Sequence, residues 1–149
     1  MRKLMQASLI AMMFAMPAAA MAQNASAAGM WKTIDDETGK PKSLVRITED
    51  NGILTGKIEK LFRPADQDQN PKCTSCEGAR KDQPIIGMTI LSGLKKDGNE
   101  YTGGEILDPS KGKTYKSKAQ LRDNGSKLEV RGYIGAPMFG RSQTWVREQ

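Results

Sequence analysis

The sequence predicts an all-β protein, an eight-stranded antiparallel meander that closes into a barrel. Three observations support this prediction: runs rich in β-branched and aromatic residues recur along the chain, turn-forming residues separate them, and apolar and polar residues alternate within them. Closure into a barrel removes the exposed edges that such a long meander would otherwise have. A β-sandwich is the alternative arrangement.

Eight runs after residue 28 have the length and composition of strands. In chain order they are Gly29–Asp35, Ser43–Glu49, Ile53–Leu61, Ile85–Ser92, Tyr101–Leu107, Thr114–Arg122, Lys127–Ile134 and Ser142–Arg147. Tight-turn chemistry separates several of them, as DNG at 50–52, KDGN at 96–99, DPSKG at 108–112 and DNGS at 123–126. In the DPSKG turn we expect Asp108 to accept backbone hydrogen bonds.

Alternation within the strands predicts one buried and one solvated face. In the sixth strand the predicted inward residues are Tyr115, Ser117, Ala119 and Leu121, and the outward residues are Lys116, Lys118, Gln120 and Arg122. Such a sheet has an apolar inside and a polar outside. An outer-membrane barrel would need an apolar outward band instead, so the pattern disfavours it.

The first 22 residues have the features of a secretory signal peptide. Arg2 and Lys3 precede an apolar stretch, and Ala20-Met21-Ala22 forms an A-x-A cleavage site. We expect cleavage to leave a flexible N-terminus over residues 23–28 and a single domain over 29–149. The predicted location is the bacterial periplasm or the exterior, with no membrane insertion after cleavage.

Charge and composition disfavour several classes of function. The chain has no histidine, so Ser-His-Asp and Cys-His triads lack their base, and two cysteines alone are too few for an ordinary zinc site. The net charge of +6 comes from cations interspersed with acids, whereas nucleic-acid binders gather cations on one face. We therefore predict no enzymatic activity, no cofactor, no metal and no nucleic-acid partner.

The two chain ends carry a family resemblance. Gly29-Met30-Trp31 opens the first strand and Trp145-Val146-Arg147 closes the last, a pairing that resembles the lipocalin signature. The stretches GMWKTIDDETGKPKSLVRI, IIGMTILSGLKKDG, GGEILDPSKGKTY and LEVRGYIGAPMFGRSQTWVR are similar to those of a bacterial exported family, domain of unknown function 2147. The resemblance implies a lipocalin-like barrel in which Arg147 packs across the Trp31 ring at the closed end, a cation–π contact.

The only two cysteines, Cys73 and Cys76, lie in a polar connection over residues 63–84 that is far longer than a hairpin requires. Export to an oxidising compartment favours a disulfide between them. Loop-forming residues flank the pair on both sides, which favours a local clip, with redox exchange and metal binding as alternatives. The loop joins the third and fourth strands, so we expect it at one mouth of the barrel.

These features predict an exported binding protein whose barrel lumen or rim holds a small, partly apolar ligand. The candidate ligand-binding residues are aromatic, Met and Arg side chains of the kind that line such sites: Met88, Tyr101, Tyr115, Tyr133, Phe139 and Arg141. The alternative is an envelope protein-interaction or inhibitor module that uses the 63–84 loop as its contact surface.

Overall fold

The computed structural model describes residues 26–148 and shows an eight-stranded antiparallel barrel. The strands are β1 (Gly29–Ile34), β2 (Pro41–Asp50), β3 (Ile53–Leu61), β4 (Thr89–Asp97), β5 (Glu100–Asp108), β6 (Lys113–Arg122), β7 (Lys127–Tyr133) and β8 (Gly140–Arg147). Each strand pairs with the next, and β1 also pairs with β8, where Trp31 lies opposite Arg147. The predicted barrel is confirmed, and the sandwich alternative is wrong. The predicted signal peptide lies outside the described residues.

The alternating strand directions give the barrel two different ends. The mouth carries the connections over residues 35–40, 62–88, 109–112 and 134–139, and the closed end carries the short turns over residues 51–52, 98–99 and 123–126. Short 3-10 turns occur at Gly78–Arg80 in the long mouth connection and at Asp123–Gly125 at the closed end.

The fourth strand is displaced from its predicted position. It was predicted over Ile85–Ser92 but spans Thr89–Asp97. Residues 85–88 instead tie the long connection to β3, because Ile85 N donates to Pro71 O and Gly87 N donates to Ile58 O. Lys95, Lys96 and Asp97 at the end of β4 are charged and exposed, so in the sequence this half of the strand resembles part of a turn.

Large apolar side chains pack the closed end. Trp31 and Trp145 are almost fully buried, and Leu54, Leu94 and Leu128 lie in the same core. Burying side chains of this size contributes about 1.5–3 kcal/mol each to stability.

The residues immediately before β1 belong to this packed end. Ala27 is fully buried, its N–H donates to the Tyr101 hydroxyl over 3.3 Å, and its carbonyl accepts from Trp31 Nε1 over 2.9 Å. Residues 26–28 are thus anchored, although they were predicted to be part of a flexible segment. Their small side chains give no sign of this in the sequence, since the partners come from distant strands.

Buried polar residues lie in the half of the barrel nearer the mouth. Thr33 and Ser43 are hydrogen-bonded to each other through their hydroxyls over 2.6 Å, whereas the fully buried Ser117 Oγ has no hydrogen-bond partner among the described residues.

In residues 26–148 the structure contains no helix long and apolar enough to cross a membrane.

Candidate functional site

The two cysteines form a disulfide inside the barrel mouth. Cys73 and Cys76 are bonded to each other, with their Cα atoms 5.3 Å apart. They are 0% and 2% exposed and belong to the main hydrophobic core. The predicted disulfide is present, and burial of both residues is the arrangement of a structural clip, because thiol exchange requires an accessible sulfur.

Residues 63–84, which we call the clip loop, have a defined backbone around this disulfide. Cys73 N donates to Gln83 O over 2.8 Å and Asp82 N donates to Cys73 O over 2.9 Å, while Lys72 and Pro84 form an isolated antiparallel bridge. These bonds close the segment on itself. The loop therefore covers the mouth as an ordered unit, with its cysteines turned toward the barrel.

The clip loop packs directly on the β5–β6 turn. Cys73 Sγ lies 3.4 Å from the carbonyl oxygen of Pro109. Gly112 has φ +67°, and a Cβ atom at this position would come within 1.8 Å of Ser75 O. A left-handed backbone and so close an approach together require glycine here.

A cavity of about 350 Å³ opens beside this contact. The clip loop, the end of β5, the start of β6 and the residue after β7 form its walls. The lining residues are Cys76, Glu77, Arg80, Leu107, Gly112, Lys113, Thr114, Tyr115 and Ile134. We call it the mouth cavity; its volume is at the lower end of the range for small-molecule sites.

The walls of the mouth cavity combine apolar surface with two cations. Leu107, Tyr115 and Ile134 supply the apolar side chains, and Arg80 and Lys113 supply the positive charges. Glu77 is the one carboxylate among the lining residues. The arrangement can accept a molecule that has an apolar body and a negatively charged group.

The turn under the cavity is stabilised by Asp108, as expected for the DPSKG turn. Its Oδ1 accepts hydrogen bonds from Ser110 N over 3.0 Å and Ser110 Oγ over 2.6 Å. Partial burial favours the neutral acid, but the hydrogen bonds from Ser110 and the charge of Lys42 outweigh it and lower the pKa of Asp108. The carboxylate is therefore a structural part of the turn.

The six predicted ligand-binding residues do not converge on one cavity. Tyr115 lines the mouth cavity, and Met88 is buried next to the start of β4. Tyr101 lies at the closed end, where its hydroxyl is bonded to Ala27 N. Phe139 is 68% exposed on the β7–β8 loop, and Arg141 pairs with Asp36 at 3.5 Å.

Tyr133, the last of the six predicted ligand-binding residues, lies at the mouth end of β7. It pairs with Lys116 of β6 and Gly140 of β8, and it is half-buried. Tyr133 is an odd number of residues from Leu128 and Val130, so the alternation along β7 puts its side chain on the opposite face from these two core residues. It is therefore separated from the barrel interior.

The family signature lies at the closed end, opposite the mouth cavity. The Arg147 guanidinium donates to Gly125 O, Ala28 O and Ser26 O over 2.7 to 2.8 Å. A Cβ atom on Gly29 would lie 2.8 Å from Arg147 Nη1, so glycine leaves room for this side chain. Partial burial lowers the pKa of Arg147, which nonetheless stays protonated.

Sequence reasoning missed most residues of the mouth cavity. In the sequence Arg80, Lys113 and Ile134 resemble ordinary residues of loops and strand ends. Their side chains meet only when the clip loop, the start of β6 and the residue after β7 come together at the mouth. The one available signal was the proximity of Glu77 and Arg80 to the cysteine pair.

Among residues 26–148 there is no group of three His, Cys, Asp or Glu side chains that could hold a metal ion.

Comparisons with known proteins agree with this fold. Residues 29–147 match the bacterial family described as "Uncharacterized protein conserved in bacteria (DUF2147)". A solved structure, protein HP1028 from the human pathogen Helicobacter pylori, described as belonging to the lipocalin family, superposes with a TM-score of 0.69. The two chains are 24% identical, and the match covers 83% of this chain and 84% of the other. A search of curated proteins found no significant match.

Proposed function

The chain belongs to the bacterial family DUF2147, and we propose that it is an exported, non-enzymatic binding protein that holds a small, partly apolar acid at the mouth of its barrel. The observation that carries this proposal is the mouth cavity, where Arg80 and Lys113 lie beside the apolar walls formed by Leu107, Tyr115 and Ile134.

The size and position of the cavity limit the ligand. At about 350 Å³ it accommodates a molecule of up to three rings or a short chain, and not a long lipid. The large side chains of the closed-end core already occupy the deeper barrel. A ligand at the rim is therefore favoured over one enclosed deep in the lumen.

Two observations support export. The sequence begins with the features of a signal peptide, and the disulfide between Cys73 and Cys76 is the form that these residues take in an oxidising compartment.

A non-enzymatic role is consistent with the charged groups of the cavity, because Arg80 and Lys113 are suited to binding an anion and are not paired there with a recognisable nucleophile.

A pair of related probes tests the ligand class. 8-Anilinonaphthalene-1-sulfonate carries two ring systems and a negative charge, and N-phenyl-1-naphthylamine has the same rings without the charge. We expect the anion to bind with one-to-one stoichiometry and to shift the backbone amide NMR signals of Gly112 and Thr114. The signal of Gly98 at the closed end should not move.

Matched variants identify the charged groups involved. Replacing Arg80 or Lys113 with Met should weaken binding of the anion by roughly threefold each, as expected for partly exposed charges, and leave the neutral probe unaffected. Lys118→Met serves as the control, since Lys118 lies on the outer wall of the same strand near Glu100. Equal affinity in all variants, or amide shifts confined to residues 138–139, would contradict the proposal.

A further inference from the structure

Three charged side chains of both signs line the mouth cavity without forming an ion pair. They are Glu77, Arg80 and Lys113, of which the first and last are exposed and Arg80 is half-buried. The six ion pairs within residues 26–148 all involve other side chains. Because an exposed ion pair contributes little to stability, the free protein loses little by leaving these three charges solvated. They therefore stay available to a ligand.

The backbone that carries these charges is held in place. Glu77 follows Cys76 of the disulfide directly, and it precedes the short 3-10 turn that ends at Arg80. Lys113 follows Gly112, where an added Cβ atom would lie 2.8 Å from Cys76 N. The contact between the clip loop and the β5–β6 turn thus positions both signs of charge around the cavity before a ligand binds.

The lining of the mouth cavity carries one net positive charge but has both signs. Arg80 and Lys113 favour a carboxylate, whereas Glu77 disfavours a second negative group and favours an ammonium group. Leu107 and Tyr115 add apolar surface to the same walls. The lining therefore complements a molecule that carries both charges on an apolar body.

We propose that the ligand of the mouth cavity is a zwitterion, either an amino acid with an apolar side chain or a short peptide of such residues. Its carboxylate faces Arg80 and Lys113, and its ammonium group faces Glu77. This inference rests on the proposed function and narrows it, since it adds an ammonium group to the partly apolar acid. A cavity of about 350 Å³ is large enough for one aromatic amino acid or a dipeptide.

Three probes with the same phenyl ring separate the two charges. At neutral pH phenylalanine carries both, 3-phenylpropionate carries only the carboxylate, and 2-phenylethylamine carries only the ammonium group. In titrations followed by the amide NMR signals of Gly112 and Thr114, phenylalanine should bind at least about threefold more tightly than 3-phenylpropionate. The amine should bind most weakly, because the lining has a net positive charge.

Phenylalanylglycine, in which a peptide bond separates the two charges, distinguishes a dipeptide from a free amino acid. Binding by either zwitterion that is tighter than that of 3-phenylpropionate supports the proposal, and the tighter of the two identifies the source.

A matched pair of variants tests the role assigned to the carboxylate. Glu77→Gln should weaken binding of the zwitterion by roughly threefold and should not weaken binding of 3-phenylpropionate. Glu100→Gln is the control, since Glu100 begins β5 at the closed end and lies 3.7 Å from Lys118 Nζ. It should bind every probe as the parent protein does, and equal urea midpoints would establish that both variants are folded.

The results separate this inference from the proposed function. The inference fails if neither zwitterion binds more tightly than 3-phenylpropionate, or if Glu77→Gln leaves binding of the zwitterion unchanged. Binding of 3-phenylpropionate in that case would leave the proposed function intact. If neither the zwitterions nor the acids, 8-anilinonaphthalene-1-sulfonate included, shift the signals of Gly112 and Thr114, both proposals are wrong.

Discussion

The guanidinium carbon of Arg147 lies 4.3 Å from the centroid of the Trp31 ring. The two residues are directly opposite each other where β8 meets β1, so the contact lies at the position where the barrel closes. The predicted pairing is confirmed. The same guanidinium also holds the chain before β1 through the carbonyls of Ser26 and Ala28.

Replacing Arg147 with Ala should lower the free energy of unfolding by about 2–3 kcal/mol. The change removes a cation–π contact and leaves backbone carbonyls without their charged donor. Lys should restore only part of the loss, because an ammonium lacks the planar face and the fork of donors. Arg141→Ala is the control, since Arg141 is exposed, and it should change the urea midpoint little. Equal midpoints for Arg147→Ala and the parent protein would contradict the prediction.

Gly112→Ala should displace the clip loop from the mouth. Gly135 provides a matched control, because it has a similar φ of +75° but nothing within 4 Å of an added Cβ, whereas Gly112 would clash with Ser75 and Cys76. In both variants the left-handed backbone should lower the free energy of unfolding by about 1 kcal/mol. Gly112→Ala should lower the free energy of unfolding by about 2 kcal/mol more than Gly135→Ala, and it should increase hydrogen exchange in residues 72–84. Equal urea midpoints for the two variants would refute this prediction.

The disulfide should resist reduction in the folded protein. Since Cys73 and Cys76 are buried, dithiothreitol should react only after the clip loop opens, at a rate far below that of an exposed disulfide. Trapping of thiols by mass spectrometry measures this rate. The Cys73→Ala/Cys76→Ala variant should lose about 2 kcal/mol of stability or less, because the closed ring is short. Rapid reduction would instead favour the redox alternative.

Ser117→Ala should stabilise the protein by about 1 kcal/mol. The substitution removes a buried hydroxyl that lacks a partner among the described residues, and burying such a group costs about 1–3 kcal/mol. Ser43→Ala should have the opposite effect, because it leaves the buried Thr33 hydroxyl unpaired. Thermal and urea unfolding compare the two variants, and a loss of stability in Ser117→Ala would show that its hydroxyl has a stabilising partner.

Acid should weaken the β5–β6 turn. The pKa of Asp108 is lower in the folded protein than in the unfolded chain, so its contribution is complete above the ordinary Asp value near 3.9 and is lost as the pH falls through the folded pKa. Asp108→Asn should therefore be less stable than the parent at pH 6, and the difference should shrink below about pH 4. A difference that stays constant down to pH 2.5 would contradict this.

The strand pattern could be predicted because it depends on local signals. Alternation places Ser117 and Ala119 inside and Lys116 and Lys118 outside, whatever the rest of the chain does. The fourth strand was predicted incorrectly, because its apolar half resembles a complete strand and its charged half resembles a turn. That boundary depends on pairing with β3 and β5, which is not a local property.

The sequence alone determined the barrel, since strand period and turn chemistry are local, and it indicated the family through the quoted stretches. The pairing of Trp31 with Arg147 was implied by the resemblance of the two chain ends to the lipocalin signature. Only the tertiary structure decided where Arg80, Lys113 and Ile134 meet. These residues come from the clip loop, the start of β6 and the residue after β7, which are distant in sequence. Their neighbours are set by barrel closure and by the packing of the clip loop on Gly112, for which no sequence period exists.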